Sequence, residues 1–273
     1  MQMHLNQLNG SMSAIKPSFK TVVNEKLKPF IWNRPRLKAA VAVARFIVRT
    51  QTGPVLLCPL CNESHQFLVS GSPPRFNAVC PSCGALERHR LLGFYLKQFP
   101  EVLRDKAILH FAAEDSLRRL IAQQAPGSYA TADLDPARGD IQLSIENITL
   151  ATRFDVIIVN HVLEHVNDRV ALHELYKALK PGGVAVIMVP VVEGWASTYE
   201  NNEVTTNAGR LRHFGQEDHV RLYGRDLRDR ILKAGFDLEE FAATPAECLS
   251  MGLVPGETIF LARKPEDDSA NSP

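Results

Sequence analysis

From Lys106 onward the chain alternates apolar runs of strand length with segments of helical periodicity. The runs Ala107–Ala112, Tyr129–Ala132, Ile141–Leu143, Asp155–Val159, Val184–Val189, Asp237–Phe241 and Thr258–Ala262 predict strands. Ser116–Gln124, Asp168–Leu179 and Arg225–Ala234 predict helices between them. Strand, helix and strand repeated in this way build a mostly parallel sheet with helices on both faces, the doubly wound α/β class. Ligands of such sheets bind beyond the carboxyl ends of the strands, where strand order reverses. Residues just after each strand are therefore the first candidates for a site.

With 273 residues there is room for one large domain and a small accessory module. The composition, 45% hydrophobic and 22% charged, excludes a fibre, a disordered chain and a membrane bundle. The net charge of +1 points to no nucleic-acid or acidic partner. No apolar run reaches the roughly 18 residues that span a bilayer. Met1–Ser13 lacks the apolar stretch of a signal peptide, so a cytoplasmic protein is expected. Residues 1–53 form a basic segment: residues 1–50 hold nine Lys or Arg against the single acid Glu25. Arg34–Arg49 reads as an amphipathic helix, with Leu37, Ala40, Val41, Ala44, Ile47 and Val48 on one face. Its apolar face is expected to dock on the main domain; peripheral membrane contact or nucleic-acid contact through the basic helix 34–49 is the alternative. Residues 265–273 read as a disordered acidic tail.

Cys58-Pro-Leu-Cys61 and Cys80-Pro-Ser-Cys83 stand eighteen residues apart. Two residues between cysteines let one tight turn aim both sulfurs at a single ion, and this spacing suits a four-thiolate zinc site. A redox dithiol and an iron–sulfur cluster are the competing readings. Four thiolates leave no coordination position for water, so a Zn2+ ion there is structural. His65–Ser70 and Arg75–Val79 are expected to pair as a hairpin inside the segment. Residues 54–100 are read as the zinc module with its linking helix, Ala85–Phe99, and residues 101–264 as the main domain. Cys248, standing alone, reads as a small core residue.

Three further phrases narrow the main domain. Tyr129-Ala-Thr-Ala-Asp133-Leu134-Asp135 ends a strand in an acid, which can accept both hydroxyls of a ribose. Phe154-Asp-Val-Ile-Ile-Val-Asn160-His161-Val-Leu-Glu164-His165-Val ends another, and Leu179-Lys-Pro-Gly-Gly follows. The set resembles the class I S-adenosylmethionine-dependent methyltransferases, type 11-like, over roughly Lys106–Lys264. The resemblance implies a seven-stranded sheet of Rossmann-like methyltransferase fold whose last strand, Thr258–Ala262, runs antiparallel. It implies S-adenosylmethionine as cofactor, with Asp133 as the ribose acid and Leu134 beside it. His110, Phe111, Ala112, Ala113 and Glu114 would form the loop under the methionine part. Ser144, Ile145 and Glu146 would lie beside the adenine, and Asn160 and His161 would line the site. Two positions depart from the family. Its first loop is glycine-rich, whereas here Ala112, Glu114 and Ser116 stand at the glycine positions; its adenine-side Asp is Ser144 here. The same glycine-poor wording is similar to methyltransferases carrying the phrase matched by Cys80–Arg90.

Methyl transfer needs the nucleophile held in line with the methyl group and, for some acceptors, a base. The long polar connection Pro190–Gly224 is expected to meet the acceptor. His219 is the first candidate base, with His161 and Tyr223 as further catalytic candidates, and Arg221 as a clamp for an anionic substrate. The expected acceptor is a small molecule, saccharide or peptide. An RNA methyltransferase and a noncatalytic scaffold are the alternatives.

Overall fold

The computed structural model describes residues 53–71 and 74–266. The expected helix 34–49 and most of the acidic tail lie outside them. Strands β5 (Ala107–Phe111), β6 (Ser128–Asp133), β7 (Ile141–Gln142), β8 (Phe154–Asn160), β9 (Leu179–Met188), β12 (Asp237–Ala242) and β13 (Thr258–Arg263) form one sheet. Their order is β12-β13-β9-β8-β5-β6-β7. β13 runs antiparallel to both neighbours, and the pairs from β9 to β7 are parallel. The chain starts at β5, moves outward through β6 and β7, then crosses back to β8. Strand order therefore reverses between β5 and β8, and the crevice lies beyond Phe111 and Asn160.

The central strands are apolar on both faces because both faces are covered. Val156 and Ile158 pack with Ile108, Val184 and Val186 on one side. Ile157 and Val159 pack with Leu109, Ala185 and Ile187 on the other. The first side is covered by α1 (Glu87–Gln98), α2 (Asp115–Ala122) and α6 (Pro245–Met251), the second by α3 (Asp168–Ala178) and α5 (Leu227–Lys233). The expected helix over 168–179 stops at Ala178, because Leu179 is extended and pairs with Phe154.

The cysteine segment holds two small hairpins. β1 (Leu56–Cys58) pairs with β2 (Glu63–His65), and β3 (Leu68–Ser70) with β4 (Arg75–Val79). The expected hairpin is thus shorter: the turn at Cys58–Cys61 folds His65 back opposite Leu56 and removes it from the second pair.

The expected boundary at residue 100 does not separate two cores. Leu91, Leu92, Tyr95 and Leu96 of α1 pack in the same cluster as Ile108 and Val156 of the sheet. The described residues form one compact unit. The opposite side of α1 touches the cysteine segment so closely that a Cβ on Gly93 would lie 2.7 Å from Leu60 Cδ1. Arg90 joins the parts. It is fully buried and donates to the carbonyls of Asn77, Ala78 and Ala85 and to those of Met251 and Gly252. Its guanidinium also lies 4.3 Å from the centre of the Phe67 ring. Only the planar five-donor fork of arginine serves carbonyls in so many directions.

Two helices and a hairpin escaped the sequence reading. α4 (Asn207–Phe214) is capped by Thr206 and closed by the left-handed Gly215. α6 starts in a capping box of Thr244 and Glu247. β10 (Tyr199–Glu200) pairs with β11 (Arg221–Leu222) and closes the long connection at its base.

Replacing Arg90 by Met keeps much of the volume but takes a donor from five carbonyls, those of Ala78 and Met251 among them buried. A loss of about 3 kcal/mol or more in unfolding free energy is expected. Arg104→Ala, at an exposed position, is expected to stay within about 0.5 kcal/mol of the parent. Urea titration of the three proteins checks this; equal midpoints would contradict it.

Candidate active site

The crevice is built by three chain segments meeting at the strand reversal. Glu114 follows β5 at the start of α2. Asn160 ends β8 and is buried, and its Nδ2 donates to Glu114 Oε1 at 2.7 Å. His89, from α1, brings Nε2 to 3.1 Å from the same oxygen, out of hydrogen-bond alignment. His110 Nε2 lies 3.7 Å from Glu114 Oε2, while its Nδ1 bonds Tyr129 Oη at 3.0 Å. Burial pushes the Glu114 carboxyl up, but His110 and His89 beside it more than offset that and hold it well below the usual carboxylate range. Four polar atoms in this crevice lack a partner: Glu114 Oε2, Asn160 Oδ1, His89 Nε2 and His110 Nε2. Buried groups of this kind are costly unless something completes them.

The first loop makes its turn without glycine. Ala112 has a φ of 48°, the left-handed region, and its N–H bonds the Ala132 carbonyl at 2.8 Å. An alanine there costs roughly 1–2 kcal/mol, so the loop shape is kept against the residue's own preference. Phe111 points into the core.

Asp133 ends β6. Its Oδ1 accepts from Asp135 N at 2.9 Å, and Arg138 Nε lies 3.7 Å from Oδ2. Asp135 is exposed and bonds Ala137 N. Leu134 is 67% exposed, an apolar side chain turned outward beside the acid. Ser144, Ile145 and Glu146 form the turn after β7. Ile145 is packed in the core and Glu146 Oε1 accepts from Asn167 N at 2.8 Å, so their side chains are spent on structure.

His161 follows Asn160 with a φ of 54°. Its Nδ1 lies 3.2 Å from Glu164 Oε1 and its Nε2 4.0 Å from Glu257 Oε1. Burial and the nearby Glu87 push the Glu257 carboxyl up to about 7, against Arg88, Arg90 and Arg75. His219 is buried; desolvation lowers its pKa and favours the neutral ring.

Two candidates of the long connection turn out to be scaffold. Tyr223 is fully buried, with its hydroxyl 3.1 Å from both the Leu163 carbonyl and Asp168 Oδ2. Burial and Asp168 raise its pKa well above the ordinary tyrosine value. This removes it from the catalytic candidates, since its proton faces no solvent or cleft. Arg221 is also buried. It donates to the carbonyls of Leu163 and Val166 and pairs with Glu200 and Asp168, so it clamps the chain's own turn and no substrate. Arg230 pairs with the same two acids. An open cleft of about 850 Å³ lies between Gly71 and Arg75 of the cysteine segment and Asn207, Arg210, Leu211, Gly215, Gln216, Glu217 and Asp218.

The four cysteines converge as well. Cys58 Sγ lies 3.6 Å from Cys83 Sγ, and Cys61 Sγ 3.7 Å from Cys80 Sγ. A tetrahedral ion with metal–sulfur bonds of about 2.3 Å spaces its sulfurs by roughly 3.8 Å, whereas a disulfide needs about 2.05 Å. Each pair closes with a left-handed residue, Asn62 or Gly84, whose N–H bonds the carbonyl of the first cysteine. The cluster is compatible with a zinc module.

The family model described as a methyltransferase domain matches residues 72–240, more than half of the chain. The chain belongs to this methyltransferase-domain family. It is a class I S-adenosylmethionine-dependent methyltransferase. No curated protein matches it in sequence. Solved structures of similar fold include an S-adenosylmethionine-dependent methyltransferase from Mesorhizobium loti, 15% identical, with a TM-score of 0.46, covering 63% of this chain and 97% of that one. Another is the 1,6-didemethyltoxoflavin-N1-methyltransferase of Burkholderia thailandensis, solved with 1,6-didemethyltoxoflavin and S-adenosylhomocysteine. It is 16% identical, with a TM-score of 0.41, covering 62% and 78%. A third, from Archaeoglobus fulgidus, is 10% identical, with a TM-score of 0.43, covering 63% and 92%. The methyltransferase domain draws His89 from the helix that follows the second cysteine pair. The phrase Cys80–Arg90 was legible, but nothing in it revealed that its histidine reaches Glu114. Glu257, in the loop before β13, gave no sequence signal.

Because the Glu257 carboxyl is raised from 4.5 to about 7, the folded chain holds its proton more tightly than the unfolded one. Stability is thus lost as pH climbs through that window. Glu257→Gln is expected to be more stable than the parent at pH 8, by on the order of 1–3 kcal/mol. The difference is expected to vanish near pH 4.5. Denaturant titration at both pH values measures it; a difference independent of pH would contradict the assignment.

Proposed function

We propose that the crevice at the strand reversal holds S-adenosylmethionine and that the cleft between the cysteine segment and α4 admits the methyl acceptor. The observation that carries this reading is the crevice's set of uncompleted polar atoms. An amino-acid end presents one ammonium and one carboxylate. Glu114 Oε2 and Asn160 Oδ1 are acceptors fit for the ammonium, and the ring nitrogens of His89 and His110 are fit to donate to the carboxylate. Asp133 accepts the ribose hydroxyls, and Leu134 offers an apolar surface to the adenine, with the Ser144 turn behind it. The donor set therefore fits the cofactor although the loop lacks glycines. When bound, the cofactor supplies a methyl group activated on a sulfonium. The chain's part is to orient it, exclude water and place the acceptor.

Acceptors enter through the cleft between the cysteine segment and α4. This suits a small molecule, a saccharide or a peptide side chain. His161, partly exposed and next to Asn160, is our candidate to meet the acceptor. The cysteine cluster holds one structural zinc, and with β1–β4 and α1 it forms the wall of the site. Residues 54–264 work as one catalytic body.

Calorimetric titration with S-adenosylhomocysteine tests the reading on protein shown by elemental analysis to carry one zinc per chain. One site is expected, weakened at least tenfold, about 1.4 kcal/mol, in Asp133→Ala and in Glu114→Gln. Absence of binding to the folded parent, or binding indifferent to both substitutions, would defeat it.

A further inference from the structure

Glu164, His165 and His219 each bring one ligand atom within 4.8 Å of the other two. Glu164 and His165 lie on the short 3-10 turn Leu163–His165 after β8, and His219 lies in the loop before β11. The two segments are tied together by the backbone bond from Val220 N to the Glu164 carbonyl at 2.9 Å. Arg221 and Tyr223 hold the same turn through Leu163 and Val166. The three side chains are thus fixed by a buried network, and none of that network uses them.

The Glu164 side chain is 2% exposed, and neither carboxylate oxygen has a hydrogen-bond partner. His161 Nδ1 is 3.2 Å from Oε1 but misaligned for a bond. An ionised carboxylate buried without donors is heavily disfavoured unless a cation neutralises it. His219 is buried, and its Nδ1 also has no partner. His165 Nδ1 faces the Asp218 carbonyl and carboxylate at 3.3 Å, which leaves its Nε2 free. Ligating histidines characteristically use one nitrogen for such a carbonyl or carboxylate and the other for the metal. The rings of His165 and His219 stand edge to face at 4.7 Å, as two ligands of one ion can.

We infer that Glu164, His165 and His219 form a divalent-cation site distinct from the cysteine cluster. Two imidazoles and one carboxylate select a first-row transition ion such as Mn2+, Fe2+ or Zn2+ over Mg2+ or Ca2+, which prefer all-oxygen shells. Three protein ligands leave coordination positions open. Asp218, the second-sphere partner of His165 Nδ1, lines the cleft between the cysteine segment and α4. On the methyltransferase reading, on which this clause alone rests, the ion binds an oxygen-bearing acceptor.

Mn2+ is the probe, because it shuns thiolates and leaves the zinc-loaded cysteine cluster alone. Paramagnetic-resonance titration of zinc-loaded protein counts free Mn2+. One Mn2+ bound per chain is expected, with affinity reduced at least tenfold in Glu164→Gln and in His165→Ala. His213→Ala, on exposed α4, is expected to bind as the parent does. His165 is partly exposed, so its variant serves if Glu164→Gln fails to fold. No Mn2+ binding by the folded parent at 1 mM, roughly the weakest affinity of a specific site, would overturn the inference. So would equal binding by the parent and the folded His165→Ala variant. S-adenosylhomocysteine titration of the same samples separates the two readings. Metal binding without nucleoside binding leaves the cation site standing and defeats the proposed function, and the reverse result does the opposite.

Discussion

A single buried guanidinium organises this molecule. Arg90 donates to carbonyls from the cysteine segment and from the end of α6, two regions that are distant in sequence and share no sheet. An arginine in such a place is affordable only because every donor direction finds an oxygen. Its neighbours on α1 exploit the anchorage. Glu87 holds Arg75 of the second hairpin, and His89 reaches Glu114 in the crevice. One helix therefore touches the cysteine module, the sheet's core and the crevice at the strand reversal at once. The family match likewise begins within the module, at residue 72.

The crevice solves the usual problem of this fold by other means. Backbone N–H groups of a glycine-rich loop ordinarily approach the ligand. Here the loop keeps a left-handed turn at Ala112, and on the proposed reading the side chains of Glu114 and His110 take the part of that backbone. The long connection after β9 is stiffened similarly. Asp168, which is buried, and Glu200, which is exposed, each pair with both Arg221 and Arg230, and these ion pairs stiffen the chain around His219.

The sheet was legible in the sequence because its central strands are buried on both faces and so read as unbroken aliphatic runs. β8, Phe154–Asn160, is the clearest instance. The cysteine cluster was legible because its turns are local. α4 was not, since Asn207–Phe214 offers few apolar positions and depends on Thr206 and Gly215 at its ends. α6 did carry a signal, Thr244-Pro245-Ala246-Glu247, which is a capping box with proline at the first helical position. Arg221 and Tyr223 were misread as reactive because the groups that occupy them, Leu163 and Asp168, lie more than fifty positions earlier. His89, Glu257 and the Glu164–His165–His219 grouping fail to appear in sequence for the same reason. Each is assembled from segments that only the folded chain brings together.

The central claim of the proposed function is that the cysteine module is a wall of the cofactor site and not an appended domain. The most direct test is S-adenosylhomocysteine affinity measured before and after removal of the cysteine-bound metal by a chelator, with amide hydrogen exchange read over α1 in the same samples. The account requires both to change together: protection of Glu87–Gln98 falls as His89 and Arg90 lose their setting, and nucleoside affinity falls with it. Unchanged affinity in protein whose module has lost its metal and its protection would contradict the account.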